Sequence, residues 1–468
     1  MSRKMGCDTP RVMIAAPRKS SGKTTLAIGI SAALSRRGLD ICPFKKGPDF
    51  IDPGWLTRAA GRSCRNLDYY MMGREGVVAN FVRHAAGAEL ALIEGNHGFF
   101  DGQDVAGSDC GAALAADLRA PVVLVVDCRG AARGIAPVVL GHLGFPGGEA
   151  IKGVILNHVA SPRHEARLLE AMIHHVPVPV LGAVRRQSGS GIEERHLGLH
   201  PAMEREDWSE RIDHIASMVE HSVDLDALLD LGRTAGTLDA PPVANPDPST
   251  PPGGTERIRV GYAVDRAFHF YYPDNLEALA AQGVNLIPFS MLQDSCLPQG
   301  IQGVFIGGGF PEVFMQRLEG NTGLMEDLQR VARAGMPIYA ECGGLMVLAQ
   351  HIHWGERVAR MAGILPIDVV MHARPQGYGY MEVEGTGLTQ WPGSGIRVRC
   401  HEFHYSRLVA SHPDLRFAFK VNRGTGVDGQ HDGVMHRNVL AGYAHFHAAG
   451  HPGWAEFVAG FWRQGGVV

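Results

Sequence analysis

The chain is 468 residues long, 45% hydrophobic and 20% charged, with a formal net charge of −4. This size predicts two or three globular domains with ample core, and the charge argues against nucleic-acid or membrane-surface binding. The sequence has no basic-apolar N-terminal signal and no 18-residue apolar run, so we expect a cytoplasmic protein. Its eight cysteines form no CxxC pair, which argues against a disulfide framework or a zinc knuckle.

A phosphate-binding loop is predicted near the N-terminus. The apolar strand candidate 11–16 is followed by PRKSSGKTT and by the helical run LAIGISAALSRRG. In such a loop, backbone N–H groups hold phosphate oxygens, the lysine supplies charge and the threonine hydroxyl ligates Mg²⁺. The pattern departs from G-x-x-x-x-G-K-[ST], because Ala16 or Pro17 stands where the first glycine belongs. The predicted nucleotide-binding residues are Ser21, Gly22, Lys23, Thr24 and Thr25.

Two acidic segments follow apolar strands in the same half. PFKKGPDFIDP (43–53) carries Asp49 and Asp52, which either cap a solvated turn or hold a metal or substrate through oxygen atoms. LALIEGNHGFFDG (90–102) ends a strand at Glu94, where a parallel sheet presents side chains to its ligand crevice. Glu94 is therefore predicted to hold Mg²⁺, directly or through water. Further strands at 121–128 and 153–159 alternate with helical stretches and predict a doubly wound parallel sheet.

A linker is predicted between two domains. Residues 233–256 are rich in proline, glycine and small polar residues and show no periodicity. The predicted domains are therefore 1–232 and 257–468, the second beginning with another α/β pattern at 257–265.

A thiol elbow is predicted in the second domain. The apolar strand 336–340 is followed by ECGG and an apolar helical segment, a turn that lifts Cys342 from the sheet edge. The helix N-terminus is expected to favour the thiolate. The glycine run of GGGFPE (307–312) follows a neighbouring strand, and its N–H groups can receive an oxyanion. Gly308, Gly309 and Gly343 are the predicted oxyanion and glutamine site.

A histidine near the C-terminus completes a predicted set for acyl transfer. Cys342 would attack a carboxamide and form a thioester, which water hydrolyses with release of ammonia. A strand over 441–446 would bring His445 to the same sheet edge, and His447 would share its face. We prefer His445 and leave open whether His447 assists or replaces it. Ammonia released beside an ATP site suggests amidation of a carboxylate that ATP has phosphorylated.

A series of motifs, taken in order, resembles those of the cobyrinate a,c-diamide synthase family. They are APRKSSGKTT, FKKGPDFIDP, NLDYYMMG, EGNHGFFDG, GGGFPE, AECGGLMVL, HEFHYS and YAHFH. The resemblance implies two doubly wound α/β domains: a P-loop domain like dethiobiotin synthetase and a class I glutamine amidotransferase domain. It also implies a cytoplasmic ligase of cobalamin biosynthesis that uses ATP and Mg²⁺. Its partners would be the small molecules glutamine and a tetrapyrrole, with a homodimer left open.

The resemblance also implies roles for individual residues. The glutaminase nucleophile falls on Cys342 and its histidine on His445. Class I amidotransferases usually carry an acidic residue two positions after this histidine; here His447 stands there, so the resemblance implies a Cys–His pair. Thr24, Asp49 and Glu94 fall on positions implied to hold the metal, MgATP and the activated carboxylate. Asp101 falls on the tetrapyrrole side of the substrate site.

Several alternatives stay open at the level of sequence. The loop EGNHGFFDG departs from the usual family loop at Asn96, His97 and Phe100, so sirohaem, sirohydrochlorin and nickel-sirohydrochlorin are alternatives to cobyrinate. Cobyric acid synthase, the related four-amide enzyme, ranks lower because its histidine is commonly followed by glycine. An alternative of another class is a nucleotide-switch ATPase fused to an inactive amidotransferase-like module. Such modules typically lose the nucleophile, whereas Cys342 is present.

Overall fold

The chain divides into two compact units. The first unit contains residues 1–69 and 73–244, and the second contains 70–72 and 245–468. The computed structural model describes residues 5–186, 194–195, 198–240, 257–410 and 415–465. The division after residue 244 falls inside the predicted linker, of which 241–256 lie outside the described residues. The domain limits stay a prediction.

The first unit alternates strands and helices. Its strands are β1 (Met5–Cys7), β2 (Arg11–Ala15), β3 (Ile41–Lys46), β4 (Arg65–Leu67), β5 (Leu90–Glu94), β6 (Val122–Asp127), β7 (Ile151–Val159), β8 (Val180–Arg185), β9 (Glu194–Arg195), β10 (Gly198–Leu199) and β11 (Leu238–Ala240). Its helices are α1 (Lys23–Arg36), α2 (Ile51–Ala60), α3 (Tyr69–Ala85), α4 (Gly111–Asp117), α5 (Ile135–Gly144), α6 (Pro162–His175), α7 (Trp208–Ser222) and α8 (Leu225–Arg233). Single 3₁₀ turns cover Gly148–Ala150 and Ala202–Glu204.

A parallel sheet forms the centre of this unit. Among the described residues its order is β4-β3-β5-β2-β6-β7-β8, and all neighbouring pairs are parallel. Strands β5 and β6 are buried along their whole length, which explains their continuous apolar sequences. Because β3, β5 and β2 are neighbours, the segments that follow them meet at one sheet edge. The phosphate loop, the first acidic segment and Glu94 therefore share that edge.

The second unit has a mixed architecture. Its strands are β12 (Ile258–Ala263), β13 (Phe268–Phe270), β14 (Val284–Phe289), β15 (Gly303–Ile306), β16 (Gly308–Gly309), β17 (Ile338–Glu341), β18 (His351–Trp354), β19 (Arg357–Arg360), β20 (Ile367–Met371), β21 (Gly377–Gly385), β22 (Arg397–His404), β23 (Ser406–Ala410), β24 (Arg416–Arg423), β25 (His431–His436) and β26 (Val439–Gly442). Its helices are α9 (Pro273–Ala281), α10 (Met315–Gly320), α11 (Thr322–Arg333), α12 (Gly343–Leu348) and α13 (Gly453–Arg463), with a 3₁₀ turn at Pro311–Phe314.

The large sheet of the second unit is half parallel and half antiparallel. Within the described ranges its order is β14-β12-β15-β17-β26-β25-β24-β21-β22, parallel as far as β26 and antiparallel beyond it. Smaller sheets are β19-β18-β20-β23 and β13-β16. Since β15, β17 and β26 are neighbours, the glycine turn, the cysteine and His445 follow adjacent strands. The predicted α/β fold class is confirmed.

None of the helices in the described ranges is long and apolar enough to cross a membrane.

Candidate active sites

The phosphate loop, which follows β2, is held in place by Asn157 of β7, two strands away in the sheet. Gly22 adopts a left-handed conformation with φ of 87° just before α1. A Cβ on Gly22 would lie 2.1 Å from Nδ2 of Asn157, whose amide donates to the carbonyl of Ser21 at 2.8 Å. Lys23 is the first residue of the 14-residue helix α1, so the loop leads into a helix N-terminus, as the sequence predicts. Thr24 and Thr25 follow in its first turn.

A carboxylate cluster surrounds the Thr24 hydroxyl. That hydroxyl donates to Glu94 Oε1 and lies 3.3 Å from Asp52 Oδ2. The ammonium of Lys45 lies 2.6 Å from Asp52 Oδ2, 3.0 Å from Glu94 Oε1 and 4.0 Å from Asp49 Oδ2. The structure therefore brings Thr24, Asp49 and Glu94 together, and it adds Asp52 and Lys45, to which sequence analysis gave no definite role.

The protonation of this cluster follows from burial and mutual charge. Burial raises the pKa of Glu94, and burial together with the Asp52 charge raises the pKa of Asp49 to about 7. Burial by itself lowers the pKa of Lys45. The negative charges of Asp52 and Glu94 have a larger, opposite effect, so the pKa of Lys45 is raised. Burial and the neighbouring Lys45 lower the pKa of Lys23. The site thus gathers three carboxylates and two lysines, and burial together with mutual repulsion favours protonation of Asp49 and Glu94.

The donor set fits a hard divalent cation. One hydroxyl and three carboxylates supply oxygen ligands of the kind that Mg²⁺ prefers. Oε2 of Glu94 is buried and makes no hydrogen bond to any residue that the structure describes, so it is an acceptor for which a cation would provide a partner.

The loop after β5 contains the remaining predicted residue of this unit. Asp101 is exposed, and its Oδ2 accepts the N–H of Gly98 at 3.0 Å, so it stabilises its own loop. A role toward the tetrapyrrole stays a prediction. His97, in the same loop, has φ of 49°. Burial, followed by the charges of Lys19 and Lys23, lowers the pKa of His97 to about 4, so its ring is neutral at pH 7.

Cys342 occupies a strained elbow at the end of β17. Its backbone has φ of 48° and ψ of −101°, an unfavourable conformation for a residue with a side chain. Its N–H donates to the carbonyl of Gly442 at 2.7 Å, and its Sγ lies 3.8 Å from the carbonyl oxygen of Phe403. The predicted strand–turn–helix is therefore present. The expectation of a thiolate is wrong, because burial and then the Glu312 carboxylate raise the pKa of Cys342.

Glycines bring the elbow, the glycine turn and an imidazole into contact. A Cβ on Gly343 would lie 3.0 Å from the nitrogen of Gly309, and a Cβ on Gly308 would lie 2.8 Å from Cε1 of His445. Gly309 has φ of 156° and would clash with the carbonyl of Ala267 if it carried a side chain. The structure thus places Gly308 against His445, and Gly309 against Gly343 of the cysteine turn.

The two candidate histidines lie in different surroundings. His445 follows β26 rather than lying within it, and its backbone pairs with His401 by hydrogen bonds of 2.8 and 3.2 Å. Its Nδ1 lies 3.1 Å from Oε2 of Glu341. His447 is fully buried, packs on the ring of Tyr272 and accepts the N–H of Ala449 at 3.2 Å through Nδ1. This geometry supports His445 as the histidine of the cysteine site.

Glu341, which precedes the cysteine, was not among the functional residues predicted from the sequence. Its Oε1 accepts the hydroxyl of Tyr339 at 3.0 Å, and that hydroxyl in turn accepts the indole N–H of Trp454 at 3.1 Å. The signal was available in principle: Glu341 is a carboxylate at the end of a buried parallel strand, the pattern that pointed to Glu94.

Comparison with known proteins covers nearly the whole chain. Residues 12–197 match the family model of the CobQ/CobB/MinD/ParA nucleotide binding domain, and residues 259–453 match that of the CobB/CobQ-like glutamine amidotransferase domain. A cobyrinate a,c-diamide synthase of Magnetococcus marinus is 54% identical over 460 residues, which cover 98% of each chain. One of Archaeoglobus fulgidus is 39% identical over 94% of each chain. One of Methanothermobacter thermautotrophicus is 38% identical, covering 97% of this chain and 99% of that one.

Proposed function

We propose that this chain, which belongs to the cobyrinate a,c-diamide synthase family, converts the a and c acetate side chains of cobyrinate to amides. Glutamine would supply the nitrogen and ATP would activate each carboxylate. One observation carries the proposal: a single chain contains both a cysteine elbow packed against a glycine turn and a phosphate loop whose threonine lies among carboxylates. The two halves correspond to release of ammonia and its use.

The glutaminase half would use Cys342 as nucleophile. Since burial raises the pKa of this thiol, its proton must leave as sulfur attacks the glutamine carboxamide, and His445 would be the base that accepts it. N–H groups of Gly309 and Gly343, with the small Gly308 beside them, would receive the oxyanion. His445 would return the proton to the departing ammonia, leaving a thioester. Water then hydrolyses the thioester to glutamate and restores the thiol.

The ligase half would use the phosphate loop. Backbone N–H groups of residues 21–25 and the Lys23 ammonium would hold the nucleotide phosphates. Mg²⁺ would be held by Thr24, Asp49 and Glu94, with Asp52 beside them, and would supply positive charge to the phosphate oxygens. The γ-phosphoryl group passes to a substrate carboxylate, and ammonia then displaces phosphate to form the amide. Lys45 would keep the carboxylates in place between turnovers.

The substrate is tested directly by mass. The protein is incubated with glutamine and MgATP and, in separate reactions, with cobyrinate, sirohydrochlorin, its nickel form or sirohaem. Replacement of two carboxylic acid hydroxyls by amino groups on cobyrinate is the expected result. Amidation of another macrocycle alone would move the proposal to that substrate. Glutamine hydrolysis without amidation of any macrocycle would overturn the ligase assignment.

We also propose that the protein is cytoplasmic and that it forms a homodimer. A cytoplasmic location is measured by fractionation with compartment markers, and a homodimer by light scattering coupled to size-exclusion chromatography. A membrane-bound fraction would refute the first proposal, and a monomer mass across the working concentration range would refute the second.

A further inference from the structure

We propose that Glu341, the residue immediately before Cys342, is the carboxylate that positions His445 for the glutaminase step. This inference rests on the function proposed above. A carboxylate that accepts the Nδ1–H of a histidine selects the tautomer in which Nε2 is free to take a proton, and it stabilises the imidazolium that forms. Class I amidotransferases usually place this acid two residues after the histidine; in this chain the acid would come from the nucleophile's own strand.

The carboxylate of Glu341 is itself firmly held. One oxygen lies 3.1 Å from His445 Nδ1, and the other accepts the hydroxyl of Tyr339 at 3.0 Å. The Tyr339 hydroxyl is fixed in turn by the Trp454 indole at 3.1 Å. Glu341 is only 5% exposed, so few water molecules can compete for these contacts. A buried network of this kind restricts the side chain to one position.

Glu341 also has a direct structural link to the nucleophile. It is the last residue of β17 and pairs with Gly442 of β26, whose carbonyl accepts the N–H of Cys342. The acid, the thiol and the strand leading to His445 are therefore joined within a few backbone bonds. A movement of the strand end would carry the acid and the nucleophile together, which keeps their spacing to each other constant.

The imidazole plane is held by groups other than the acid. The His401 ring stacks on His445 with centroids 5.0 Å apart and an interplanar angle of 30°. Tyr272 holds His401 through a 2.6 Å hydrogen bond to Nε2, and burial keeps the pKa of His401 well below its usual range, so this ring is neutral. Gly308 closes another side of His445. These contacts fix where the ring lies, and the remaining choice, which nitrogen carries the proton, falls to Glu341.

The other histidine of the YAHFH motif does not compete for this acid. His447 Nε2 lies 3.9 Å from Asp274, and its Nδ1 accepts a backbone N–H. Two histidines two residues apart thus face two different carboxylates.

The decisive variant is Glu341→Gln, which keeps the size of the side chain and removes its charge. We expect kcat for glutamine hydrolysis to fall by at least about 10²-fold, and by up to the roughly 10⁴-fold lost when a histidine-orienting carboxylate becomes an amide, with KM within about threefold of wild type. Inactivation by a chloroketone analogue of glutamine should slow in parallel, because His445 must also take the thiol proton in that reaction. Amidation driven by free ammonia should continue at the wild-type rate.

Glu402→Gln is the matched control. Glu402 is also a buried glutamate paired with a histidine in the same unit, its Oε2 lying 3.2 Å from Nε2 of His404. The Glu402→Gln variant should be less stable than wild type but keep kcat for glutamine hydrolysis within about threefold of the wild-type value. Equal losses in both variants would overturn the proposal, since the effect would then be general to disrupted pairs.

The remaining outcomes separate this inference from the proposed function. If Cys342→Ala abolishes glutamine hydrolysis but Glu341→Gln retains it, Glu341 has no positioning role and the function stands. If Cys342→Ala retains glutamine hydrolysis, the proposed function itself fails. Should Glu341→Gln fail to fold, Tyr339→Phe decides: it leaves Glu341 in place without one hydrogen bond. A fall in kcat of about tenfold at constant KM supports the proposal, and an unchanged kcat refutes it.

Discussion

The close approach of Gly308 to His445 makes a one-methyl substitution a sensitive test of the cysteine site. In Gly308→Ala the new Cβ would lie 2.8 Å from Cε1 of His445 and 3.2 Å from Cβ of Phe270. Carbon atoms in van der Waals contact lie about 3.5 to 4.0 Å apart, so the imidazole must move by roughly 0.7 to 1.2 Å. The Phe270 contact opposes a shift of the alanine in the other direction.

A displacement of this size has a calculable effect on catalysis. Misplacing a reacting group by about 1 Å costs on the order of 10²-fold in rate. We therefore expect kcat for glutamine hydrolysis to fall about 100-fold in Gly308→Ala, with a loss of stability of about 1 to 3 kcal/mol from overpacking. Ammonia-driven amidation should be unchanged. The assay measures glutamate release and amide formation on the same preparation, each at saturating substrate.

The control substitution is Gly460→Ala. Gly460 lies within α13 with open space around its Cβ position, so alanine should stabilise the protein by about 0.5 to 1 kcal/mol and leave both activities unchanged. If Gly308→Ala hydrolyses glutamine within about threefold of wild type, His445 is not the base of this site and the reasoning fails.

Three further predictions test the two sites. Cys342→Ala should abolish amidation from glutamine and spare amidation from ammonia, whereas Glu94→Ala should stop both; normal turnover from glutamine in either variant would contradict its assigned role. Because burial raises the pKa of Cys342, its alkylation by iodoacetamide should rise about tenfold per pH unit and still be rising at about pH 9.5; a plateau below about pH 8 would show an activated thiolate. His97 has a pKa of about 4 in the folded protein, below the unfolded value of about 6.5. As the pH falls from about 6.5 to about 4, the unfolded chain therefore binds a proton that the folded protein does not, and the free energy of unfolding decreases. Urea unfolding at about pH 5 should therefore show His97→Gln gaining roughly 1 kcal/mol over wild type after allowance for partial exposure, and no gain at about pH 8.

Sequence patterns predicted the parts of this protein that depend on neighbouring residues. The apolar run predicted as a strand at 121–128 forms the strand Val122–Asp127, which is buried along its whole length, because a buried parallel strand needs a short continuous apolar segment. The phosphate loop could be predicted from the sequence GKT between a strand and a helix, since the backbone conformation of the loop and the position of the helix N-terminus depend on neighbouring residues. The strand–turn–helix elbow at Cys342 could be predicted for the same reason.

Other features were beyond the reach of the sequence because they depend on distant parts of the chain. Residues 238–240, read as part of a linker, form a strand with 5–7, whose partner is more than 200 positions away. The sequence around Lys45 does not indicate how deeply this residue lies, but the fold buries it among Asp52, Glu94 and Asp49.

The amino-acid sequence by itself determined the family, the order of the two chemistries along the chain and the residues at each turn, since these follow from local patterns of residue type. Tertiary structure alone decided which charges meet and how deeply they are buried. That is why the Cys342 thiol holds its proton and why the acid beside His445 is Glu341, 104 positions earlier in the chain. Electrostatic energies depend on distance and exposure, and the fold sets both.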